Sequence, residues 1–208
     1  MLAGDRTGAT LRAVPTLELV LIRHAESAWN AAGRWQGHAD PPLSPAGREQ
    51  AETLARELAS LRLDAVWSSD LARALDTARI VAAPHGLTPA PDPRLRELDV
   101  GRWSGLCREE ILRLEPEALA RFAAGDPDAR PGGGESRREL ARRVRAALAE
   151  IGAAFAGRRV AVVAHLGVIS ALRPGTRLDN AGWIGHAEPG GGEPSHAPAP
   201  GASRGSVA

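Results

Sequence analysis

Two short apolar runs, Leu17-Glu18-Leu19-Val20-Leu21-Ile22 and Arg159-Val160-Ala161-Val162-Val163-Ala164, each lead straight into a histidine: Arg23-His24 after the first, His165 after the second. Short apolar runs bounded by polar residues read as buried strands. Between them lie stretches of helical periodicity, and strands alternating with helices build a mainly parallel sheet covered on both faces. The fold class expected is therefore α/β: a three-layer sandwich with a mainly parallel central sheet and helices on both faces. Open sheets of this kind take ligands at the carboxyl ends of their strands. A lone histidine is most often an exposed or hydrogen-bonded structural residue. Two of them at the carboxyl ends of two core strands argue for a shared site.

The remaining elements follow from local signals. Residues 28–43 read as a Gly/Pro-containing loop. Ser44-Pro45 opens a helix, with Ser at the N-cap and Pro at the first helical position; Ala51, Leu54, Ala55, Leu58 and Leu61 share one of its faces. Asp64-Ala65-Val66-Trp67 reads as a second strand. Ser68-Ser69-Asp70 is expected to cap the next helix, whose stripe is Leu71, Leu75, Ala78 and Ala82 and which Pro84-His85-Gly86 stops. A proline-rich link (Pro89, Pro91, Pro93) leads to Leu95-Arg96-Glu97-Leu98. A weaker helical region covers about 107–124, residues 131–134 form a loop, and a long helix runs from about Glu135 to Phe155. Residues 187–208 are Gly, Pro, Ser and Ala with little to bury, and read as a disordered tail; residues 1–16 read as a flexible leading segment. The globular domain expected is 17–186.

Composition narrows the chemistry. All 26 basic residues are Arg, and lysine is absent, which rules out a lysine Schiff base or P-loop lysine. The formal net charge of +1 argues for neither a nucleic-acid partner nor a membrane surface. Cys107 is the only cysteine, so no intrachain disulfide forms and a reducing cytoplasm is the default location. His38, His85, His186 and His196 lack metal-ligand spacing, so neither metal nor other cofactor is expected. The arginine-rich stretch at 137–145 reads as a solvated helix face. A homodimer stays open.

The segment Leu21-Ile22-Arg23-His24-Ala25-Glu26-Ser27-Ala28-Trp29-Asn30 resembles the signature of the histidine phosphatase superfamily, the phosphoglycerate mutase-like family. The likeness continues in order through Arg34-Trp35-Gln36-Gly37-His38, Pro42-Leu43-Ser44-Pro45-Ala46-Gly47 and Ser68-Ser69-Asp70-Leu71-Ala72-Arg73-Ala74. It continues through Leu95-Arg96-Glu97-Leu98-Asp99-Val100-Gly101-Arg102-Trp103, Gly133-Gly134-Glu135-Ser136 and Val163-Ala164-His165-Leu166-Gly167-Val168-Ile169. The resemblance implies a metal-independent phosphatase acting on a small phosphomonoester. His24 would be the nucleophile and form a phosphohistidine. Arg23, Arg73 and His165 would surround the phosphate, stabilising charge on its equatorial oxygens, and Asn30 would add a neutral donor. Glu97 would protonate the leaving oxygen and then deprotonate water.

Glu97 has rivals in Glu26 and Asp99; in extended backbone Asp99 would share its face. Trp29, Trp35 and Trp103 either line a pocket or pack. Two alternatives stand beside hydrolysis: phosphoglycerate mutase-type transfer, which tends to need a longer chain, and a weakly active or non-catalytic phosphate-ester-binding homologue. Three departures from the family pattern bear on them. Ala25 stands in place of the usual Gly, and Leu166 where Gly or Asn is usual, which would narrow the pocket. The segment after His165 is short, which would truncate a helix and bare apolar surface; Leu178 to Trp183 reads as the next strand.

Overall fold

The computed structural model describes residues 17–187. The expected leading segment 1–16, nearly all of the expected tail 187–208, and His196 lie outside the described residues.

Five strands form one sheet: β1 (Glu18–Arg23), β2 (Ala65–Ser68), β3 (Ala90–Pro91), β4 (Arg159–Ala164) and β5 (Trp183–Ala187). Their order is β3-β2-β4-β1-β5. The first four run parallel, and β5 pairs antiparallel with β1 at one edge. The helices are α1 (Ala28–Ala31), α2 (Pro45–Leu58), α3 (Ala72–Ala82), α4 (Arg108–Leu114), α5 (Pro116–Ala123), α6 (Arg137–Ala154) and α7 (Leu166–Leu172).

Side chains alternate across a strand, and this alternation divides the core. Leu19 and Leu21 of β1, with Val160 and Val162 of β4, pack under Leu140, Val144, Leu148 and Ile151 of α6 and Val168 and Ile169 of α7. Val20, Ile22, Ala161 and Val163 point the other way, onto Leu54 and Leu58 of α2 and Ala74, Ala78 and Val81 of α3. The three layers expected are these.

Several local expectations are corrected. Residues 28–43 are not all loop: Ser27 and Asn30 form a capping box around the single turn of α1. Ser68-Ser69-Asp70 does not cap α3. Ser68 is the last residue of β2, and Asp40, far away in sequence, accepts the Ala72 amide at 2.7 Å. Of the expected α3 stripe Leu71, Ala78 and Ala82 are buried, joined by Ala74, Thr77 and Val81, while Leu75 is half-buried. The weak helix of 107–124 is two, because Glu115 leaves helical geometry (φ −139°, ψ 60°) before Pro116. In the proline-rich link, Ala90–Pro91 adds a two-residue edge strand, a place where a missing N–H is tolerated.

The segment after His165 is short, as expected, and α7 has seven residues. It bares no sheet surface: Leu19, Leu21, Val160 and Val162 are all at most 1% exposed, because the 18 residues of α6 cover that face. Residues 178–182 are not strand. Their polar groups are used on β1: Leu178 O accepts Arg23 Nη1 at 2.6 Å, and Gly182 O accepts the Arg23 amide at 2.9 Å. Ala181 turns the chain at φ 58°.

A long-range helix cap is testable. Asp40→Ala leaves the first turn of α3 without its acceptor and is expected to cost about 1 kcal/mol, read from urea denaturation; an unchanged midpoint would show that the bond contributes nothing.

Candidate active site

The register of β1 with β4 sets Arg23 beside Ala164, so the next residues, His24 and His165, emerge side by side. The His24 amide donates to Ala164 O at 2.9 Å. The imidazole centroids lie 5.0 Å apart at 61°. His24 is 3% exposed and His165 fully buried.

His24 Nδ1 lies 2.7 Å from Ala25 O. A carbonyl only accepts, so Nδ1 carries the proton and Nε2 keeps its lone pair. Burial pushes the His24 pKa down to about 3, helped by the charges of Arg73 and Arg23. Burial, then Arg73 and His24, holds His165 well below its ordinary value. Both imidazoles are neutral at neutral pH.

Two arginines stand at the site, Arg73 buried and Arg23 half-buried. Arg73, 1% exposed, projects from the first turn of α3. It donates to Ala39 O at 2.8 Å and Gly37 O at 2.9 Å, which fixes its guanidinium against the 37–39 loop. Arg23 is held by Leu178 O. Burial lowers the pKa of both, opposed by the charge of Glu97; a guanidinium in a protein nevertheless stays charged. Arg23 Nε, Arg73 Nε and both ring nitrogens of His165 are buried without a hydrogen-bond partner in the protein. Buried polar groups are costly unless something pairs with them. Arg23 and Arg73 line the same cleft as His24, against which His165 packs.

Asn30 reaches the site from α1. Its Oδ1 accepts from the Ser27 amide and from Asn180 Nδ2, leaving its own NH₂ as the group to offer a ligand. Asn180 Nδ2 also donates to His24 O at 3.2 Å.

Glu97 and Asp99 do not share a face. The chain after Asp99 turns against residues 131–134, where a Cβ on Gly101 would collide with Gly132 O and one on Gly134 with Asp99 O. Asp99 Oδ1 caps the Gly101 amide at 2.9 Å, within a separate shallow cleft. Glu97 lines the same cleft as His24. Its Oε1 accepts the Leu98 amide at 2.8 Å and its Oε2 the Gly167 amide at 3.3 Å. Glu26 is turned away, accepting from Ser44 Oγ at 2.6 Å. The Gly167 amide, in the first turn of α7, is thus taken by Glu97. A Cβ at Gly167 would collide with Glu97 Oε1.

Three supporting residues escaped the sequence reading. Arg143 donates to the carbonyls of Arg94, Arg96 and Glu97 at 2.6–2.8 Å and pairs with Glu135 at 2.7 Å. The Glu135–Arg143 pair therefore clamps the loop that carries Glu97. Gly167 makes room for its carboxylate. The i, i+8 spacing of Glu135 and Arg143 was the available signal, and Gly167 following a strand-end His-Leu was another.

The cleft has a volume of about 1260 Å³. Arg23, His24, Asn30, Arg73 and Glu97 line it; His165, fully buried, packs edge-on against His24. Trp35 lines it too and packs edge-to-face on Trp103, itself buried, at 5.4 Å. Trp29 and Trp103 do not line it. Leu166 does, half-buried in the wall. The arginine-rich face at 137–145 is solvated, with Arg138, Arg142 and Arg145 exposed, and together with Arg137 these side chains also border the cleft. Among the described residues no group of three His, Cys, Asp or Glu side chains could hold a metal ion, and no helix is long and apolar enough to cross a membrane.

The profile of the histidine phosphatase superfamily (branch 1) matches residues 19–179. The chain is 42% identical over 167 residues to phosphoglycerate mutase-like protein 4 of Arabidopsis thaliana, covering 77% of this chain and 73% of the relative. It is 39% identical over 149 residues to phosphoserine phosphatase 1 of Hydrogenobacter thermophilus, covering 72% and 71%. Among solved structures, a mycobacterial glucosyl-3-phosphoglycerate phosphatase complexed with VO₃ superposes with a TM-score of 0.75 at 35% identity, covering 81% of this chain and 90% of that one.

The neutral histidines have a stability consequence. Their folded pKa values lie below the ordinary 6.5. Above that pH neither state binds the proton. Below it the unfolded chain takes up protons that the folded site refuses. Stability should therefore fall as pH drops from 6.5 toward 3, by up to about 1.4 kcal/mol per pH unit for each histidine. Thermal melts from about pH 8 to about pH 4 measure this; His24→Asn/His165→Asn should flatten the slope, and an unchanged slope would contradict the assignment.

Proposed function

Because the chain belongs to the histidine phosphatase superfamily, we propose that it is a phosphatase that hydrolyses a small phosphomonoester through a phosphohistidine, without a metal. One observation carries the reading: a neutral imidazole, tethered at Nδ1, stands beside two guanidiniums whose buried Nε donors lack a protein partner.

His24 Nε2 attacks phosphorus in line with the leaving oxygen. The N–P bond forms as the P–O bond breaks, and Glu97 gives its proton to the departing oxygen. The Nδ1–H to Ala25 O bond steadies the positive charge that the ring acquires. Glu97, now a carboxylate, takes a proton from water, which attacks phosphorus and breaks the N–P bond, releasing phosphate. Arg23, Arg73, Asn30 and His165 supply donors to the equatorial oxygens, where charge spreads in the transition state. The arginines give the positive charge that a metal would otherwise supply. The solved mycobacterial relative is named a phosphatase, as is the Hydrogenobacter protein, which supports hydrolysis over mutase-type transfer. The free Cys107 accords with a cytoplasmic location.

The decisive experiment is turnover of p-nitrophenyl phosphate and of an alkyl phosphate, in excess EDTA. His24→Ala is expected to abolish acid-labile phosphate on the protein and to lower the rate by several orders of magnitude; near wild-type turnover rules out the covalent route. A rate restored by added metal rules out metal independence. Phosphoryl transfer to an added alcohol in preference to water marks a mutase.

Glu97→Gln should cost about 10²–10⁴-fold with the alkyl phosphate and less with p-nitrophenyl phosphate, whose leaving group departs as an anion. Gly167→Ala should reproduce that leaving-group pattern at about 10²-fold, because its Cβ displaces the Glu97 carboxylate. An equal loss on both substrates would move the proton transfer elsewhere.

A further inference from the structure

The His24 imidazole is aimed through a single bond, Nδ1–H to Ala25 O at 2.7 Å. Whatever holds that carbonyl therefore holds the lone pair on Nε2. A carbonyl belongs to a rigid peptide plane, and Ala25 O shares its plane with the Glu26 N–H. That N–H donates to Gln50 Oε1 of α2 at 3.0 Å. A backbone N–H only donates, so the oxygen end of the Gln50 side chain faces it. The peptide on the other side of Ala25 is held as well. The Ala25 N–H donates to Thr77 Oγ1 of α3 at 3.1 Å, and the Thr77 hydroxyl donates in turn to Arg73 O at 2.7 Å. Ala25 and Thr77 are both fully buried.

The two helices cover one face of the sheet, and each sends one polar side chain to the residue after His24. The approach of α2 is close enough to allow it. The Ser44 amide donates to Glu26 O at 2.9 Å, and a Cβ on Gly47 would collide with the same oxygen. A side chain at position 47 would push the first turn away and take Gln50 out of reach. Neither Gln50 nor Thr77 lines the cleft, so each acts only through Ala25.

The result is a chain of hydrogen bonds from Gln50 Oε1 through one peptide to His24 Nδ1. Bonds in such a chain polarise one another: a peptide whose N–H is engaged accepts more strongly at its oxygen. When Nε2 bonds to phosphorus the ring turns positive, and Nδ1–H becomes the stronger donor. The chain therefore favours the phosphorylated ring over the free one.

We propose that Gln50 and Thr77 are positioning residues for His24: they grip the two peptides that flank Ala25, keep its carbonyl on Nδ1, and so stabilise the phosphohistidine. This rests on the phosphatase reading and specifies what sustains its intermediate. Without the grip the N–P bond forms more slowly and is hydrolysed faster, because the less stabilised imidazole is the better leaving group. A residue that only stabilised the fold would not move the two steps in opposite directions.

The test is rapid-quench measurement of acid-labile phosphate on the protein, during turnover of p-nitrophenyl phosphate and after a chase. Gln50→Met keeps the length of the side chain and removes the acceptor. It is expected to slow phosphorylation about tenfold, the worth of one hydrogen bond, and to speed dephosphorylation, with the Kd for inorganic phosphate unchanged. Gln50→Glu, which keeps an acceptor oxygen, should restore both rates. Thr77→Val, of matching shape, should repeat the Gln50→Met pattern and Thr77→Ser restore it; thermal melts check folding, and either pair decides if a member of the other does not fold. Independently of turnover, the His24 Nδ1 proton, identified by its loss in His24→Asn, should move upfield in the proton–nitrogen NMR spectrum of Gln50→Met and of Thr77→Val. An unmoved resonance in a folded variant, or both steps slowed alike, overturns the grip. If the wild type carries no acid-labile phosphate, the phosphatase reading fails by itself, and the proton resonance alone then decides the grip.

Discussion

The in-register parallel pairing of β1 with β4 is the constraint from which the site follows. With Arg23 opposite Ala164, both strands end at the same height, and the next residue of each is a histidine. A one-residue slip would send one imidazole to the opposite face of the sheet. The register is held because both strands are buried on both faces, Leu19, Leu21, Val160 and Val162 under α6 and Val20, Ile22, Ala161 and Val163 under α2 and α3. Catalytic geometry here is a by-product of packing in the centre of the sheet.

Around that pair the protein sets charge and neutrality against each other. Burial removes the histidines' protons, and the arginines beside them make reprotonation harder still. The arginines in turn are fixed by backbone carbonyls, Arg73 by the 37–39 loop and Arg23 by Leu178. Their partners are dipoles rather than carboxylates, so their positive field is left for a ligand. The carboxylate at the site, Glu97, is positioned by two amides and by the Arg143 clamp on its backbone.

Much of this was legible in the sequence where the signal is local. The strands at 17–22 and 159–164 were marked by apolar runs, α2 by Ser44-Pro45 and its stripe, and the short α7 by the spacing from His165. The illegible parts are those that depend on distant chain. Asp40 caps α3 across 32 residues. Asp99 parts from Glu97 because backbone packs on backbone at Gly101 and Gly134, which no alternation rule contains. The arginines of α6 are solvated, as expected, but that they also border the cleft was illegible because helical periodicity gives a face and not its neighbour. Only the docking of α6 beside α7 turns Arg142 and Arg145 toward the cleft. The roles of His24 and Glu97 came by resemblance; geometry adds the tautomer and the carboxylate's holders.

The absence of lysine acquires a meaning once the cleft is drawn. Every cation that lines it is a guanidinium, which does not deprotonate in proteins, and the buried imidazoles beside it hold no charge to lose at neutral pH. The positive charge of the cleft is consequently constant across the range in which most proteins breathe protons. Any pH dependence in its grip on an anion is left to Glu97, the one group on its wall that trades a proton in turnover, and to the anion's own second ionisation.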